Sequence, residues 1–406
     1  MESGNIKTTL KNIYNKILGS SHFKTIQNSS TIDKITKTSN RVKNQIVEKK
    51  HIILVSFTIL LLILIYLIFL FRRVPRYLSG MKKYDKFMNL RPLDSFTKLI
   101  NSNYRLCDFY IASSYKSYLP CTNYYDYSST SAIREALKYG ARYIDLDVYN
   151  KTFDQCTTPL VCNGKEVGNW HYTSTITFDE CCKVISETAF SNLVKCPTDP
   201  LFININLHVN ENIITINKIA SIVKHYFEHK LLPLKYSHQG TNPDFTKGIN
   251  LATTPIQKFI NKVIIICNDQ FKNTHLDEIV NLSPKNVGNL RDLAFSNVKN
   301  SYDSEELIEY NKKHFTRVII DKQNRNKKNF NYNIPWYFGC QFICMDYFRQ
   351  DDYMISYIKK FSKSSFVLKP YKLRYHPTYI EPPKKQIPEV SFAPKKVTTP
   401  YYSITY

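Results

Sequence analysis

The most informative pattern of apolar and polar positions lies in residues 142–150, RYIDLDVYN. This stretch is rich in β-branched and aromatic residues and alternates with period two, which predicts a β-strand. Its aliphatic side chains fall on one face, whereas Asp145 and Asp147 fall with two tyrosines on the other. Carboxylates are costly to bury unpaired, so such a pair is solvated, ion-paired or bound to a cation such as Ca²⁺. The pattern alone leaves open an exposed edge strand or a cation site.

Strand and helix patterns alternate from about residue 106 onward. Residues 201–209, LFININLHV, repeat the character of the first stretch, with Asn206 and His208 on the polar face. Further strands are predicted at 108–114, 262–267, 317–321, 339–347 and 365–370, and helices at 131–139, 177–190 and 212–227. About eight strands separated by helices predict an α/β fold of the (β/α)₈ TIM-barrel type. The two aspartates, Asn206 and His208 would converge at the C-terminal strand ends, where such barrels place their active sites.

Residues 52–71 form a run of twenty residues without charge, Gly or Pro. That length spans the hydrocarbon core of a bilayer as a helix. Only Ser56, Thr58 and Tyr66 are polar, whereas a surface helix of a soluble protein keeps a polar stripe. The run begins too deep in the chain for an ordinary signal peptide and lacks a small-residue cleavage site. We therefore predict a single transmembrane helix before the barrel.

The formal net charge of +23 indicates an acidic partner. No RNA-binding signature or zinc-finger spacing accompanies the charge, so nucleic acid is a minor option and membrane lipid is favoured. Basic residues flank the apolar run on both sides, and their excess on the C-terminal side weakly favours a cytoplasmic barrel. Paired CxxC motifs are absent from the sequence, so the ten cysteines are expected to be mostly free core residues.

The parts outside the barrel are predicted from composition. Residues 1–50 are predicted to be a basic flexible segment, 72–102 a juxtamembrane linker and 376–406 a Pro/Lys/Tyr-rich tail. The N-terminal segment and the tail are the parts through which a protein partner would bind.

Three motifs in residues 103–269 resemble the X half of phosphoinositide-specific phospholipase C. Residues 108–119, DFYIASSYKSYL, are similar to the family's strand ending in SSHNTYL. Residues 142–150 are similar to its ELDVWDG, and residues 201–208 resemble its ILSLENH.

Two further motifs in residues 270–375 resemble the Y half of that family. Residues 335–346, PWYFGCQFICMD, are similar to W-N-x-GCQ-x-VALNFQ, and residues 366–374, FVLKPYKLR, are similar to GYVLKPxxLR. The resemblance implies a barrel of the phosphodiesterase kind. It also implies Ca²⁺-dependent cleavage of the glycerophosphate bond of an inositol phospholipid, whose headgroup is the implied partner. In that chemistry two histidines move protons, and Ca²⁺ lowers the pKa of the attacking hydroxyl.

The chain departs from the family at most positions that carry this chemistry. Tyr115 stands where the family has its first catalytic histidine, and a phenol with a pKa near ~10 replaces an imidazole near ~6.5 poorly. Lys116 stands in place of a calcium-binding asparagine, and an ammonium repels Ca²⁺. Asp145 and Asn206 both replace glutamates, whereas Asp147 is kept. Asp145, Asp147 and Asn206 are thus predicted to be a degenerate calcium site that holds no cation.

The second catalytic histidine is ambiguous. In residues 168–176, GNWHYTSTI, alignment on Thr173 and Ser174 places the family's histidine at Gly168. Only a shift of three residues brings His171 to that position. His171 is therefore either a catalytic candidate or a loop histidine.

Several positions that bind the substrate in the family also differ in this chain. Ile266 and Asn268 stand where the family has lysines for the inositol 4-phosphate. Arg317 matches the family's arginine and is a candidate for a bidentate phosphate contact, although a surface arginine is the alternative. Lys116 is the other candidate for substrate binding.

The positions at which this chain matches the family motifs are mainly positions that pack the fold, whereas most positions that carry the family's chemistry differ. The leading hypothesis is a membrane-anchored, phospholipase C-like protein of little or no phosphodiesterase activity that serves as a lipid-binding, partner-binding or structural module. The alternative is an active phosphatidylinositol phosphodiesterase in which Tyr115, Lys116 and His171 replace the usual groups, with or without Ca²⁺. A structural membrane protein of a particle or organelle surface is a third possibility.

Overall fold

The computed structural model describes residue 12 and the ranges 29–91, 104–120, 127–150, 157–165, 170–171, 174–238, 249–284, 290–321, 328–377 and 392–406. Two compact units divide the chain, Met1–Arg73 and Val74–Tyr406. Apart from residue 12, the prediction of a flexible segment at 1–28 lies outside the described residues. The same holds for residues 378–391 of the predicted tail.

The described helices, in chain order, are α1 Ser29–Phe71, α2 Arg73–Gly80, α3 Thr130–Lys138, α4 Phe178–Ala189, α5 Ile213–Phe227, α6 Phe295–Lys299, α7 Ser304–Lys313, α8 Asn333–Tyr337 and α9 Asp352–Lys360. Several begin at side chains that cap free backbone N–H groups. Thr177 and Glu180 form a reciprocal capping box at the start of α4, and Asn212 caps α5.

Helix α1 contains the apolar run predicted to cross a membrane. It begins at Ser29, so residues 29–50 are helical rather than flexible as predicted. Its stretch Thr36–Phe69 is long and apolar enough to cross a membrane, and its most apolar window is not buried. Within the described ranges it is the one helix with that length and composition.

The described strands, in chain order, are β1 Phe109–Ser114, β2 Tyr143–Tyr149, β3 Leu160–Val161, β4 Gly164–Lys165, β5 Trp170–His171, β6 Ile176–Thr177, β7 Leu201–His208, β8 Val263–Cys267, β9 Val280–Leu282, β10 Leu290–Ala294, β11 Phe315–Ile319, β12 Phe342–Met345, β13 Phe366–Leu368, β14 Lys396–Thr398 and β15 Ser403–Thr405. Eight of them pair in parallel in the order β10-β11-β12-β1-β2-β7-β8-β9. The result is a nearly closed eight-stranded barrel, which confirms the predicted (β/α)₈ fold.

Two details of the strand assignment differ from the prediction. The predicted strand at 365–370 is not a barrel strand, because β13 pairs antiparallel with β1 outside the ring of eight. The ring is instead completed by β9 and β10, which the pattern did not reveal. Both are short, and Leu290 is the one residue of β10 that is fully buried, so neither has the long apolar run of a central strand.

The alternation of β2 decides which side chains enter the barrel. Ile144, Leu146 and Val148 pack outward against the helices, as the pattern predicted. Tyr143 points inward and packs on the Phe342 ring, with 4.9 Å between the ring centroids. All seven residues of β2 are buried between two parallel neighbours, so the alternative of an exposed edge strand is excluded.

Two residues of the family-like motifs close the N-terminal end of the barrel. The fully buried Gln341 donates to the carbonyl oxygens of Asn311 at 2.7 Å and His314 at 2.9 Å. Its side-chain oxygen accepts from the Thr316 N–H at 2.9 Å. Lys369, also fully buried, donates to the Asn311 carbonyl at 3.1 Å. These polar side chains satisfy backbone groups where the strands begin, which explains their place in the fold.

Residues 81–90 pack against the barrel, although they were predicted to belong to a linker. Met81 and Tyr84 are fully buried in its outer core. The Tyr84 hydroxyl donates to the Tyr347 carbonyl at 3.0 Å, just after β12. At the other end of the segment, the Asn89 N–H donates to the Ser362 carbonyl at 2.9 Å. The globular part therefore begins well before residue 103.

Candidate functional site

The candidate site lies inside the barrel, toward the C-terminal ends of β1, β2 and β7. The parallel register of β2 and β7 sets Asp145 beside Asn204 and Asp147 beside Asn206. These four side chains occupy the inward face of two adjacent strands, above the aromatic layer that contains Tyr143. The convergence expected from the sequence is therefore present.

Lys116 projects into this cluster from the turn that follows β1. Its backbone adopts a positive φ of 41°, which is uncommon for lysine. Its backbone N–H donates to Asp145 Oδ2 at 3.1 Å. Its ammonium lies 3.0 Å from Asp147 Oδ2 and donates to Asn163 Oδ1 at 2.6 Å. Lys116 therefore contacts both aspartates, one through the backbone and one through the side chain.

Other donors engage the remaining carboxylate oxygens. Asp147 accepts hydrogen bonds from the Tyr118 hydroxyl at 2.8 Å and the Asn206 amide at 3.0 Å. Asp145 accepts from the Asn204 amide at 2.7 Å and from Asn206 at 3.0 Å. All four carboxylate oxygens thus already have donors within the protein.

Charge and burial set the protonation states of these groups. Burial opposes ionisation of Asp147, but the Lys116 ammonium and His208 hold the pKa of that carboxyl well below its usual value. Burial also opposes the charge of Lys116, yet the Asp147 carboxylate outweighs it and raises the pKa of the ammonium. Burial and the Asp147 charge raise the pKa of Asp145. Burial raises the pKa of Tyr115 to about 12, so this phenol keeps its proton at neutral pH.

The residues at this position do not fit Ca²⁺. Calcium takes six to eight oxygen ligands, each about 2.3–2.6 Å from the ion. Here the Lys116 ammonium touches Asp147, and an ammonium cannot be a ligand in any orientation. The amide oxygen of Asn206 accepts from Asn204 at 2.9 Å and is also engaged. The described residues contain no group of three or more His, Cys, Asp or Glu side chains that could hold a metal.

The other predicted site residues are placed as follows. Tyr115 is partly buried beside Lys116, whose ammonium lies 5.9 Å from the centre of its ring. Arg317 pairs with both carboxylate oxygens of Asp292 and donates to the Tyr143 hydroxyl at 2.8 Å. For His171 only the backbone, in β5, is described, and its side chain lies outside the described part.

Tyr118, Asn163 and Asn204 were not among the predicted site residues, whereas His208 was expected at these strand ends and contacts Asp147. Tyr118 also contacts Asp147 and stands where the motif SSHNTYL has its tyrosine, a match that could have revealed it. Asn204 lies on the same polar face as Asn206, so the alternation could have revealed it. Asn163 carries no such signal, because a distant loop brings it to the site.

Comparisons with known proteins agree with this fold. The X domain of phosphatidylinositol-specific phospholipase C matches residues 102–265, and the Y domain of the same family matches residues 260–372. The 1-phosphatidylinositol 4,5-bisphosphate phosphodiesterase beta egl-8 of Caenorhabditis elegans is 25% identical over 180 residues, which are 44% of this chain and 11% of that protein.

Solved structures of phospholipases C are also similar to this chain. The crystal structure of L. pealei PLC21 has a TM-score of 0.54 and 18% identity, and the match covers 67% of this chain and 38% of PLC21. A Ca²⁺-dependent phosphatidylinositol-specific phospholipase C from Streptomyces antibioticus has a TM-score of 0.43 and 10% identity, over 66% of this chain and 99% of that one. The matched part of the chain thus spans well under half the length of the C. elegans protein and of PLC21. The X and Y matches together cover more than half of this chain, which therefore belongs to the phosphatidylinositol-specific phospholipase C family.

Proposed function

We propose that this chain is a membrane-anchored, phospholipase C-like protein with little or no phosphodiesterase activity, and that it serves as a lipid-binding, partner-binding or structural module. The observation that carries the proposal is the ion pair between Lys116 and Asp147. It occupies the place that the family resemblance assigns to Ca²⁺. The cation that would neutralise the phosphate and activate the attacking hydroxyl is replaced by a fixed ammonium, whose charge Asp147 already balances.

The protonation states support the same conclusion. A general base or acid works best when its pKa lies near the working pH. The pKa of Tyr115 is about 12, and that of Lys116 is raised above its ordinary value. Neither group exchanges a proton readily at neutral pH. Asp147 has a strongly lowered pKa and is therefore a poor base.

Residues at the positions that would bind the substrate in this family are also engaged in other contacts. Arg317 is 93% buried and is already paired with Asp292, so its guanidinium is not free for a phosphate. Asn268, at one of the positions that the resemblance assigns to phosphate-binding lysines, holds both backbone polar groups of Leu207. Any lipid contact by this barrel would therefore use other residues or a rearranged site.

The test is an assay of inositol phosphate release by the full chain in vesicles. The vesicles contain phosphatidylinositol or its 4,5-bisphosphate, the lipid named for the C. elegans relative. Each reaction is run with Ca²⁺ and with a chelator, beside an Asp147→Ala variant as control. We expect no release above that control in either condition. Ca²⁺-dependent release that Asp147→Ala abolishes would overturn the proposal.

The same assay distinguishes the alternative of an active enzyme with altered residues. The Lys116 ammonium at the family's calcium position is the observation that favours it. In that case, release would persist in chelator, and Lys116→Ala and His171→Ala would each lower it by about 10²-fold. Membrane anchoring is tested separately by carbonate extraction, after which the full chain should stay with the membrane. A variant with two arginines in the middle of the span should be released.

A further inference from the structure

The C-terminal residues 392–406, which belong to the predicted Pro/Lys/Tyr-rich tail, form a β-hairpin. Strands β14 and β15 are antiparallel, and Val397 lies opposite Ile404. The main chains of Lys395 and Tyr406 exchange two hydrogen bonds of 2.8 and 3.0 Å. Opposite residues of an antiparallel pair project to the same face. The register therefore defines two distinct faces of the hairpin.

The two faces differ in chemistry. The aromatic face carries Lys395, Val397, Thr399, Tyr402, Ile404 and Tyr406, and the polar face carries Lys396, Thr398, Ser403 and Thr405. Ile404 is 53% exposed, Tyr402 56% and Tyr406 72%, so the aromatic face is largely uncovered. A two-stranded hairpin is marginally stable by itself in water and gains stability when one face is buried. This face is therefore suited to a surface outside the described chain.

Charge and residue type indicate which surface this is. Residues 392–406 contain Lys395 and Lys396 and no acidic residue. Tyrosine has an apolar ring and a polar tip, which suits the boundary between acyl chains and water. Lysines beside an aliphatic and aromatic patch suit an anionic lipid surface. The same chain also carries the apolar stretch Thr36–Phe69, which is long enough to cross a membrane.

We propose that the hairpin binds the surface of an anionic bilayer, with the aromatic face in the interfacial layer. This role goes beyond the proposed function, because it depends on neither the candidate site nor its chemistry. It gives the chain a second membrane contact at the opposite end of the sequence from the apolar helix. Lys395 lies on the aromatic face and Lys396 on the polar face, so a shallow insertion leaves both ammonium groups near the headgroups.

The test is hydrogen–deuterium exchange of the full chain in lipid nanodiscs. The discs contain phosphatidylcholine alone or phosphatidylcholine with phosphatidylserine. Co-elution with the discs reports whether the chain is anchored, and exchange in residues 395–406 reports on the hairpin separately. We expect exchange in the hairpin to be about 25-fold slower in the anionic discs than in the neutral ones, because each of the two lysines strengthens binding about fivefold at an anionic surface.

Paired variants assign the effect to the aromatic face. Ile404→Ser should remove most of the protection in anionic discs, whereas Thr405→Ser, one residue away on the polar face, should keep it. Because Ile404→Ser also weakens the Val397 pair, a second variant changes Lys395 and Lys396 to glutamate and leaves that pair intact. It should abolish the difference between anionic and neutral discs, because the hairpin then carries no basic residue.

Three results would overturn the proposal. The first is equal exchange in the two kinds of disc when the full chain is anchored in both. The second is equal loss of protection in Ile404→Ser and Thr405→Ser. The third is protection that appears in detergent without lipid and rises with protein concentration, which would assign the aromatic face to a second copy of the chain.

Discussion

Replacing Lys116 with asparagine is the sharpest test of how the candidate site is organised. The change removes an ion pair whose side chains are 18% and 8% exposed, and it leaves Asp147 buried beside Asp145. Removing one partner of a buried pair costs about 3–5 kcal/mol. About 1 kcal/mol of that loss is recovered, because residue 116 has φ +41°, where asparagine is less strained than lysine. We expect the free energy of unfolding to fall by about 2–4 kcal/mol at neutral pH.

This loss should depend on pH in a defined direction. In the wild-type protein the folded-state pKa of Asp147 lies below its unfolded value, because Lys116 outweighs the effect of burial. Its contribution to stability is therefore complete above the unfolded pKa of about 4 and is lost as pH falls toward the folded pKa. The variant lacks that contribution. The difference between the two proteins should be largest at neutral pH and should shrink below about pH 4.

The variant should also gain a response to Ca²⁺. Asparagine supplies an amide oxygen in place of the ammonium, as in the family motif, and removes the charge that opposes a cation. Calcium at one hundred times its dissociation constant would then stabilise the variant by about 2.7 kcal/mol. The assay is urea unfolding of the full chain in mild detergent, with Ca²⁺ or a chelator. Trp336 fluorescence is a suitable signal, since its ring stacks on Tyr110 in the fold with 3.8 Å between centroids.

A matched lysine provides the control. Lys138 pairs with Glu135, and these side chains are 36% and 24% exposed. Lys138→Asn should cost less than about 1 kcal/mol and should show no response to Ca²⁺. The reasoning fails if the wild-type protein is stabilised by Ca²⁺ as strongly as Lys116→Asn. It also fails if Lys116→Asn costs no more than the control.

Three further predictions use the same unfolding assay. Burial lowers the pKa of Lys369 to about 8, so between pH 8 and 10.5 the unfolded state binds more protons than the folded state. The free energy of unfolding of the wild-type protein should therefore rise over that window by about 3 kcal/mol relative to Lys369→Met. Parallel pH profiles of the two proteins would contradict this. Gln341→Leu removes the side-chain partner of the Thr316 N–H and of the His314 carbonyl, while Lys369 still donates to the Asn311 carbonyl, so it should cost more than about 2 kcal/mol; a loss under 1 kcal/mol would refute its structural role. Tyr84→Ala should cost about 3–5 kcal/mol, and no loss would show that residues 81–90 are not part of the barrel core.

The fold was predictable because alternation and length carry most of its information. The strand at 142–150 has three aliphatic residues on one face, and these are the residues that pack against the helices. The family-like motifs added the barrel and the order of its halves. Strand β9 was not predictable, because it is three residues long and too short for a period to show. The hairpin at the C-terminus was hidden by a composition that is also typical of disordered tails.

The candidate site was predictable in part. Sequence motifs assigned Asp145, Asp147, Asn206 and Lys116 to one place, and the structure brings them together. They could not reveal that the Lys116 ammonium lies against Asp147, because a long side chain has many rotamers and its direction depends on tertiary contacts. Nor could they reveal the partner of Arg317, since Asp292 lies on a strand that the pattern did not show.

The packing of residues 81–90 has a mechanical consequence. A pull on the chain before residue 81 would not stretch a slack connection. It would load Tyr84 and the loop after β12, where the Tyr84 hydroxyl is bonded to the Tyr347 carbonyl. A fragment cut at residue 102, where the family match begins, would lose this contact and would uncover the backbone at Gly140, against which the side chains of Met88 and Leu90 pack. For this chain, the shortest piece that keeps its shape under load therefore starts before the family boundary.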